Sequence, residues 1–367
     1  MAGTDVTRQA AEAAPQAAPA QEAALPLVSV IMPICNEERF IARSLEGALA
    51  QDYPPDRLEV IIADGMSTDR TRQVIAGVVA AHPERQVRVI DNPGRIVPTG
   101  LNAAIRAARG EVVIRMDGHC EYPRNYVREL VRLRQQTGAE NVGGVLVPVG
   151  SSYTQRAICA AFYSPLSAGS AMRGFAASDA LREVDDVHGG CYRREQLFEI
   201  GLFDEEMVRN QDDELNFRLR KLTGGRILQS PALQVKYHVR DSFRKLFRQY
   251  AQYGYWKVRV VQKHPRQSSP RHLVPSAFVL AVVGLAALAP FFALFLWAWL
   301  ALLALYLAAI AALALREARH TEWKLWPGII WALILMQVGY GVGFIVGVLR
   351  RVFGPLPTDS IFERVTR

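Results

Sequence analysis

The sequence has no charge over two long stretches. No Asp, Glu, Lys, Arg or His occurs from Leu273 to Leu315, and none occurs from Gly328 to Leu349. As one helix the first stretch would be about 65 Å long, roughly twice the ~30 Å hydrocarbon core of a bilayer. A break near Pro290 therefore fits better, and lengths of this kind disfavour a buried core helix. We predict three transmembrane helices, at 273–290, 292–315 and 328–349.

Cysteine is scarce and shows no metal-binding spacing. The four cysteines are Cys35, Cys120, Cys159 and Cys191. Without a CxxC pair we expect them to be reduced and structural in a cytoplasmic domain. The first 26 residues are rich in Ala, Gln and Pro and lack a hydrophobic signal core. We interpret residues 1–26 as a disordered tail rather than a targeting peptide.

The positive charge lies beside the apolar stretches. The formal net charge is +8 and the pI is about 9.4. The basic clusters before the first span and between the second and third spans are Lys257, Arg259, Lys263, Arg266 and Arg271, and Arg316, Arg319 and Lys324. Their positions favour a cytoplasmic N-terminal part and a membrane-lipid partner, with no nucleic acid. Arg350 and Arg351 follow the third span and oppose this topology, so whether that span crosses stays open.

Strands and helices alternate through the N-terminal half. Hydrophobic runs predict strands at 27–34, 58–63, 87–91, 111–116 and 142–149, and helices at 37–50, 69–81, 99–108 and 126–136. This spacing indicates βαβ units and a mostly parallel sheet flanked by helices, which is an α/β fold. The pattern is weak over 151–186. A short strand or turn follows at Val187–Tyr192, and then a helix at 212–222.

The remaining boundaries follow from the composition. We predict an α/β domain at 27–240 and a basic, aromatic interfacial region at 241–272 whose helix, 241–263, suits the membrane surface. A membrane domain at 273–349 and a C-terminal tail at 350–367 complete the chain.

Polar residues follow two of the predicted strands directly. Asp117-Gly-His119 comes after the strand at 111–116, and Asp64-Gly comes after the strand at 58–63. Open α/β sheets place their ligands at such strand ends. Asp117 and His119 can both bind one divalent cation, which in turn can hold a diphosphate leaving group. Asp64 can accept a hydrogen bond from a nucleotide base. Read alone, each motif also fits a polar turn.

A third polar cluster opens a helix. Gln211, Asp212, Asp213 and Glu214 are followed by Arg218, which lies four residues after Glu214. Acidic residues at a helix N-terminus can simply offset the helix dipole. One carboxylate could instead deprotonate an acceptor hydroxyl, as a general base does.

The order of these motifs strongly resembles the family 2 glycosyltransferases over residues 27–260. Asn36-Glu37 follows a strand, and Asp64-Gly-x-Ser, Asp117-x-His and Gln-Asp-Asp-Glu-Leu-x-x-Arg come next in sequence. Pro33-x-x-Asn-Glu37 and the helix Thr99–Gly110 are further characteristic pieces. Within the family, the chain resembles succinoglycan-type exopolysaccharide glucosyltransferases with a C-terminal membrane anchor.

The resemblance implies a GT-A nucleotide-diphospho-sugar transferase fold with C-terminal transmembrane helices. It implies that Pro33 and Glu37 line the nucleotide pocket and that Asp64 recognises the base. Asp117 and His119 would hold diphosphate and a divalent metal, Mg²⁺ or Mn²⁺. Asp212 would be the catalytic base, and Arg218 would belong to the nucleotide-sugar site on the same helix. Gln252 and Trp256 have the spacing of a Gln-x-x-Arg-Trp motif and would lie on the acceptor side.

Three positions depart from the family pattern. His119 replaces the usual second aspartate, and imidazole suits Mg²⁺ less well than Mn²⁺. Gln211 replaces a glutamate, so Asp213 remains a close rival to Asp212 as the base. Tyr255 replaces the arginine of the processive motif, which weakens the prediction of a processive enzyme.

The leading interpretation is an inverting, metal-dependent membrane glycosyltransferase. It would move a hexose, glucose by the resemblance, from a UDP-sugar to a polyprenyl-diphosphate-linked saccharide in surface polysaccharide biosynthesis. The predicted place is the bacterial inner membrane, with the catalytic domain cytoplasmic. Alternatives are a polyprenyl-phosphate sugar synthase, a processive polysaccharide synthase and, outside the enzymes, a membrane nucleotide-sugar sensor.

Overall fold

One mixed β-sheet organises the N-terminal two-thirds of the chain. A computed structural model describes residues 25–167, 180–265, 270–354 and Phe362. The predicted N-terminal tail up to residue 24 lies outside these residues, as does most of the C-terminal tail. The strands are β1 Val28–Ile34, β2 Leu58–Asp64, β3 Gln86–Asp91, β4 Val112–Arg115, β5 Cys120–Glu121, β6 Asn141–Val149, β7 Arg182–Glu183, β8 His188–Arg193 and β9 Ile227–His238.

The strand order brings the predicted site motifs to one edge. The order is β3-β2-β1-β4-β8-β6-β9-β5, with β7 beside β9. Strands β3, β2, β1 and β4 are parallel, so their carboxyl ends share one edge of the sheet. Strand β8 is antiparallel to β4 and β6. The sheet is therefore mixed, with a parallel half that ends at Asp64 and just before Asp117.

Helices cover both faces of the sheet. They are α1 Ile41–Leu49, α2 Thr71–Ala81, α3 Val97–Ala107, α4 Tyr126–Thr137, α5 Tyr153–Phe162, α6 Arg194–Glu199, α7 Gln211–Thr223 and α8 Phe243–Lys263. Strands β1 and β2 alternate their side chains between two buried clusters. Val30 and Met32 join the cluster that contains α1 and α4, whereas Ile31 and Ile61 join the one that contains α3. Burial on both faces explains why these strands read as continuous hydrophobic runs.

Three apolar helices follow α8. They are α9 Pro270–Leu288, α10 Ala293–His320 and α11 Trp326–Phe353. The α10 helix and the segment Trp323–Phe353 are long and apolar enough to cross a membrane, whereas α9 is a shorter apolar helix. The structure thus contains two candidate membrane spans among its described residues. The first of the three predicted spans, at 273–290, stays a prediction.

Helix α8 packs closely along α11 through glycines. A Cβ added at Gly343 would lie 1.9 Å from the Ala251 carbonyl oxygen, and one at Gly254 would lie 2.1 Å from the Tyr340 oxygen. Gly339 and Gly347 make similar approaches one turn before and after Gly343. Spacing of four residues between small side chains allows helix backbones to meet in this way. The predicted interfacial helix is therefore bound to a candidate membrane span.

The strands β5, β7 and β9 and the helices α5 and α6 were absent from the sequence prediction. Strand β9 contains Pro231, which argues against a strand because proline lacks an N–H donor. The β6–β9 register shifts between Ser230 and Gln234, so Pro231 falls within an irregularity where no ladder bond is lost. Helix α5 lies in the weakly patterned stretch, and its Ser152–Gln155 capping box is a signal that sequence reading could have used.

Candidate functional site

Asp64 is a fully buried carboxylate at the end of β2. Its oxygens accept hydrogen bonds from the Ser67 N–H at 3.2 Å and from the Ser67 hydroxyl at 2.5 Å, and Arg72 Nε also donates to it. The carboxylate thus fixes the turn that follows the strand. Arg72 Nη2 also donates a hydrogen bond to Asp91 at the end of β3. Recognition of a base by Asp64 stays a prediction.

The ends of β1 and β2 are tied together. The Asn36 N–H donates to Ser67 Oγ at 2.8 Å, and the Glu37 N–H donates to Thr71 Oγ1 at 2.8 Å. Pro33 lies in β1 and is half-buried, while Glu37 is buried at the start of the next turn. The two residues predicted to line a nucleotide pocket therefore border the same sheet edge as Asp64.

Arg115 and Asp117 form a buried ion pair at the end of β4. Arg115 donates to the two Asp117 oxygens at 2.8 and 3.1 Å. Burial acts to raise the pKa of Asp117, but Arg115, followed by His188 at 3.3 Å, holds it well below its usual range. Burial likewise acts to lower the pKa of Arg115, and Asp117 and Asp212 raise it above its ordinary value. Asp117 is therefore a carboxylate at any physiological pH.

Histidine and glutamate side chains, whose nitrogen and oxygen atoms can bind a divalent cation, form two further contacts after β4 and at the end of β9. His119 Nδ1 lies 3.3 Å from Glu37 Oε1, and His238 Nε2 lies 2.8 Å from Glu121 Oε1. The β5–β9 pairing joins Cys120 to Tyr237, so His119 and His238 stand opposite each other one step along the ladder. Within the described ranges, His, Cys, Asp and Glu form no group of three arranged to hold a metal. The donor types still fit a divalent ion, and nitrogen donors fit Mn²⁺ better than Mg²⁺.

The acidic end of α7 faces Arg115. Asp212 and Asp213 lie in the first turn, which begins after Asn210 in the left-handed conformation with φ 61°. Asp212 Oδ2 lies 4.0 Å from Arg115 Nη1, a buried nitrogen without a hydrogen-bond partner among the residues described. Asp213 is held instead by Lys257 of α8, whose Nζ lies 2.6 Å from Asp213 Oδ2. Asp212 therefore lies nearer to Asp117, and Asp213 faces α8.

Asp186 adds a third carboxylate to this region. It accepts a hydrogen bond from Asn216 Nδ2 at 2.6 Å, and Asn216 in turn accepts one from Asn141 Nδ2 at 2.8 Å. Burial, followed by the charges of Asp212 and Asp213, raises the pKa of Asp186 well above its usual value. Sequence analysis missed Asp186, because nothing in its sequence neighbourhood shows that it approaches α7.

Arg218 serves the interior of the fold. Its guanidinium contacts the Glu214 carboxylate at 2.6 and 2.8 Å, and it also donates to the carbonyl oxygens of Ile200 and Leu202. His264 at the end of α8 contacts the same carboxylate at 2.9 Å. The i,i+4 pair predicted with Glu214 is confirmed. A direct part for Arg218 in nucleotide-sugar binding stays a prediction.

The two residues predicted for the acceptor side lie inside the protein. Gln252 is fully buried and accepts a hydrogen bond from Arg209 Nε at 3.1 Å. Trp256 is also buried, and its indole Nε1 donates to the Phe362 carbonyl oxygen at 2.9 Å. Both side chains therefore position neighbouring parts of the protein, and their contact with an acceptor stays a prediction.

Two further residues were missed by sequence reasoning. Arg115 is a charged residue within a buried strand, and such a residue requires a partner, which is a usable signal. His238 ends β9, a strand that the sequence analysis did not predict. An imidazole at the end of a strand is the same type of signal that drew attention to His119.

The chain is similar to known glycosyltransferases in sequence and in fold. Residues 29–191 match the family model described as glycosyl transferase family 2. The succinoglycan biosynthesis protein ExoA from Rhizobium meliloti (strain 1021) is 33% identical over 270 residues, which cover 71% of this chain and 80% of that protein.

Two further comparisons extend this similarity. Dolichyl N-acetyl-alpha-D-glucosaminyl phosphate 3-beta-D-2,3-diacetamido-2,3-dideoxy-beta-D-glucuronosyltransferase from Methanococcus voltae is 28% identical, over 64% of this chain and 74% of its own length. The mannosyltransferase PcManGT from Pyrobaculum calidifontis, solved with GDP-Man and Mn²⁺, is 23% identical with a TM-score of 0.61. That alignment covers 86% of this chain and 87% of the mannosyltransferase. The mixed sheet, the strand-end carboxylates and these similarities agree, and the chain belongs to glycosyl transferase family 2, as a glycosyltransferase with a GT-A fold.

Proposed function

We propose that the chain transfers a hexose from a UDP-sugar to a saccharide carried on a polyprenyl diphosphate, with inversion. Glucose is the first candidate for the sugar. One observation carries the proposal: Asp212 lies 4.0 Å from Arg115, the partner of Asp117, and the next residue, Asp213, binds Lys257 of α8, which packs on a candidate membrane span. A lipid-linked acceptor cannot leave the bilayer, so a base beside a membrane helix is suited to it.

The relatives support this assignment of substrates. ExoA is named for succinoglycan biosynthesis, and the Methanococcus voltae relative is named for a dolichyl phosphate-linked acceptor. The mannosyltransferase was solved with a nucleotide sugar and Mn²⁺. The basic residues beside the apolar helices favour a cytoplasmic catalytic domain in a bacterial inner membrane.

The proposed chemistry divides between the two sides of Asp212. On one side, Asp64 would hydrogen-bond to the nucleobase of the UDP-sugar, and Pro33 and Glu37 would line the nucleotide pocket. Asp117, with His119 and His238 as candidate partners, would hold a divalent metal, which when bound offsets the charge of the departing UDP. On the other side, Asp212 would take the proton from the acceptor hydroxyl as the hydroxyl attacks the sugar.

Asp212 is favoured over Asp213 as the base because of their partners. Lys257 binds the Asp213 carboxylate at 2.6 Å, and a carboxylate engaged by an ammonium is less available to accept a proton. Arg115 stands farther from Asp212, with 4.0 Å between Nη1 and Oδ2. The Asp212 oxygens are therefore better placed to receive a proton from an acceptor.

A donor and metal panel tests the proposal. Membranes containing the full chain are incubated with radiolabelled UDP-sugars and a lipid extract, with and without Mn²⁺ or Mg²⁺. We expect one sugar to enter the lipid fraction in a metal-dependent way. Labelled products that lengthen on a sizing gel would instead indicate a processive synthase. UDP-sugar binding without UDP release would indicate a sensor, which family membership disfavours.

A further inference from the structure

Both ends of α11 contact the catalytic domain. Near its start, the Gly328 N–H donates to the hydroxyl of Tyr153 in α5 at 3.2 Å. Near its other end, Arg350 contacts the hydroxyl of Tyr255 in α8. A helical rise of about 1.5 Å per residue places these two contacts roughly 33 Å apart, which is close to the thickness of a bilayer core. A helix that crossed the bilayer would hold two such ends on opposite faces of the membrane.

The helices that receive these contacts belong to the polar domain. Helix α8 carries Lys257 and Arg259, whose ion pairs with Asp213 and Glu206 each measure 2.6 Å. Helix α5 packs into the domain, because its Ala157 belongs to the same buried cluster as the side chains of β1. Charged side chains are costly in hydrocarbon, so ion pairs of this kind lie outside it. The two ends of α11 therefore lie on one side of the membrane, together with the catalytic domain.

Helix α11 also follows α8 between these ends. An added Cβ at Gly339 would lie 2.9 Å from the Phe247 carbonyl oxygen, and one at Gly347 would lie 2.9 Å from the Tyr255 carbonyl oxygen. The close approach of Gly343 to α8 falls halfway between them. Both helices advance by the same number of residues from the first contact to the last, so they run side by side in the same direction. This part of α11 therefore lies beside α8 and outside the hydrocarbon.

The helices α9 and α10 expose their apolar surface instead. Only 11% of the most apolar stretch of α10 is buried within the protein, against 44% for the segment that contains α11. Around the turn between α9 and α10, Phe291, Leu294 and Trp297 are 74%, 74% and 68% exposed. Lipid is the partner that suits such side chains. After α10, the ion pair of Glu322 with Arg156 of α5 shows that the chain returns to the domain.

The basic residues beside these helices fit the same arrangement. Arg316, Arg319 and Lys324 lie where α10 returns, and Arg350 and Arg351 lie in the last turn of α11. If α11 crossed the bilayer, the last two arginines would lie opposite the catalytic domain, against the positive-inside rule. With both ends of α11 on one side, all five basic residues lie on the side of the domain.

We propose that α9 and α10 cross the bilayer as a hairpin, whereas α11 lies on the catalytic side, between the domain and the lipid surface. The chain then crosses the membrane twice, and the end of α11 lies on the same side as the proposed base. The arrangement is independent of the sugar and of the acceptor that the enzyme uses.

Helix α11 would connect the hairpin to the catalytic domain. The indole Nε1 of Trp326 in α11 donates to the Ala311 carbonyl oxygen of α10 at 3.3 Å. An added Cβ at Gly341 would lie 2.5 Å from the Pro275 carbonyl oxygen of α9. A change in the tilt of the hairpin would therefore move α11 and, through it, α8.

Labelling of introduced cysteines tests this arrangement in intact bacteria that express the full chain. Phe291→Cys and Phe353→Cys are matched substitutions, because the two phenylalanines are 74% and 81% exposed. We expect a membrane-impermeant maleimide to label Phe291→Cys in intact cells. Phe353→Cys should stay at the level of the unsubstituted chain until the membrane is permeabilised. The four native cysteines all precede α8 and report the side of the catalytic domain.

Reporter fusions supply a second readout that substitutes no residue. Green fluorescent protein fluoresces in the cytoplasm and stays dark after export, whereas alkaline phosphatase is active only after export. Fluorescent protein attached before residue 1 or after residue 367 should fluoresce in both cases. Alkaline phosphatase should be inactive after residue 367 and active when it is inserted after Pro290, in the turn of the hairpin.

Two results would overturn the proposal. Equal labelling of Phe353→Cys and Phe291→Cys in intact cells, with a dark fusion after residue 367, would show that α11 crosses the membrane. Labelling of neither variant until the membrane is permeabilised would show that the hairpin does not cross. Labelling of the unsubstituted chain in intact cells would contradict the cytoplasmic orientation in the proposed function. The fusions at residues 1 and 367 would then still show whether the two ends share a side.

Discussion

The Lys257 ammonium lies 2.6 Å from an Asp213 carboxylate oxygen, and this contact joins α8 to α7, the helix that carries the proposed base. The two side chains are 10% and 22% exposed. Burial is the main cause that raises the pKa of Asp213, with Lys257 opposing and Asp212 adding to it. The helix that packs against the candidate membrane span α11 is therefore attached one residue away from the proposed base.

Breaking this ion pair should destabilise the fold more than an exposed pair would. Lys257→Met removes the ammonium from beside a largely buried carboxylate, so we expect a loss of about 1–3 kcal/mol in the free energy of unfolding, and the double variant with Asp213→Asn should recover much of it. Thermal unfolding in detergent measures both. Lys245→Met breaks the exposed Lys245–Asp241 pair and should cost no more than about 0.5 kcal/mol. Equal losses for Lys257 and Lys245 would contradict the prediction.

Removing the carboxylate of Asp212 should stop chemistry and leave donor binding intact. We expect Asp212→Asn to lower kcat by about 100-fold or more, which is the range for a lost general base, whereas Asp213→Asn should be milder. The measurement is radiolabelled sugar transfer at saturating donor. Asp52→Asn, at an exposed pair with Arg128, is the control. Full sugar transfer by Asp212→Asn would show that Asp212 is not the general base. It would point to a lipid phosphate acceptor, which is already anionic.

The stability should fall as the pH rises because of Asp186. Its folded-state pKa is raised above the unfolded value of about 3.9, so its contribution is fully present below that value and is lost as the pH rises through the folded pKa. Asp186→Asn removes this dependence. The melting temperature of the variant relative to wild type should therefore increase as the pH rises from about 4 upward. A constant difference across that range would show that Asp186 titrates normally.

Substitution of the proposed metal donors should weaken the activation of the enzyme by metal. His119→Ala and His238→Ala should each raise the Mn²⁺ concentration for half-maximal activity by about 10-fold or more, as losses at metal sites commonly do. Binding of Mn²⁺ followed by electron spin resonance provides a readout that does not need turnover. His82→Ala removes a histidine from the far end of α2 and serves as the control. Unchanged Mn²⁺ binding in both variants would exclude the two histidines.

The close approach of α8 and α11 should tolerate no added methyl group. Gly343→Ala would place a Cβ 1.9 Å from the Ala251 oxygen, so the two helices must move apart. We expect a lower melting temperature and reduced transfer. Gly284→Ala in α9 is the matched control, because nothing lies within 4 Å of the added Cβ. Equal melting temperatures for the two variants would show that the close α8–α11 contact does not contribute to stability.

The sequence predicted the parallel half of the sheet well. Strands β1 and β2 are buried on both faces, so their hydrophobic runs are unbroken, and Asp64 and Asp117 follow at the ends. These features are local, and local patterns are what a single sequence displays. The match to the family adds the order of the motifs, which no isolated motif provides.

What the sequence could not show depends on contacts between distant segments. Asp186 approaches α7 through Asn216, and Arg240 reaches α8 through Gln249, so neither contact appears in the neighbouring residues. Strand β9 was missed because Pro231 is unfavourable in a strand until an irregular register accommodates it. His238 was missed along with that strand. Each of these residues acquires its surroundings only in the folded chain.

The glycine contacts between α8 and α11 have a practical consequence for handling the enzyme. A chain cut after Lys263 would expose the face of α8 that carries Phe247, Ala251 and Tyr255, and a newly bared apolar face promotes aggregation. A soluble catalytic half would therefore need that face redesigned. In a bilayer, the same contact makes lipid thickness relevant to turnover. A change in the tilt of α11 would move α8, whose Lys257 binds Asp213 next to the proposed base.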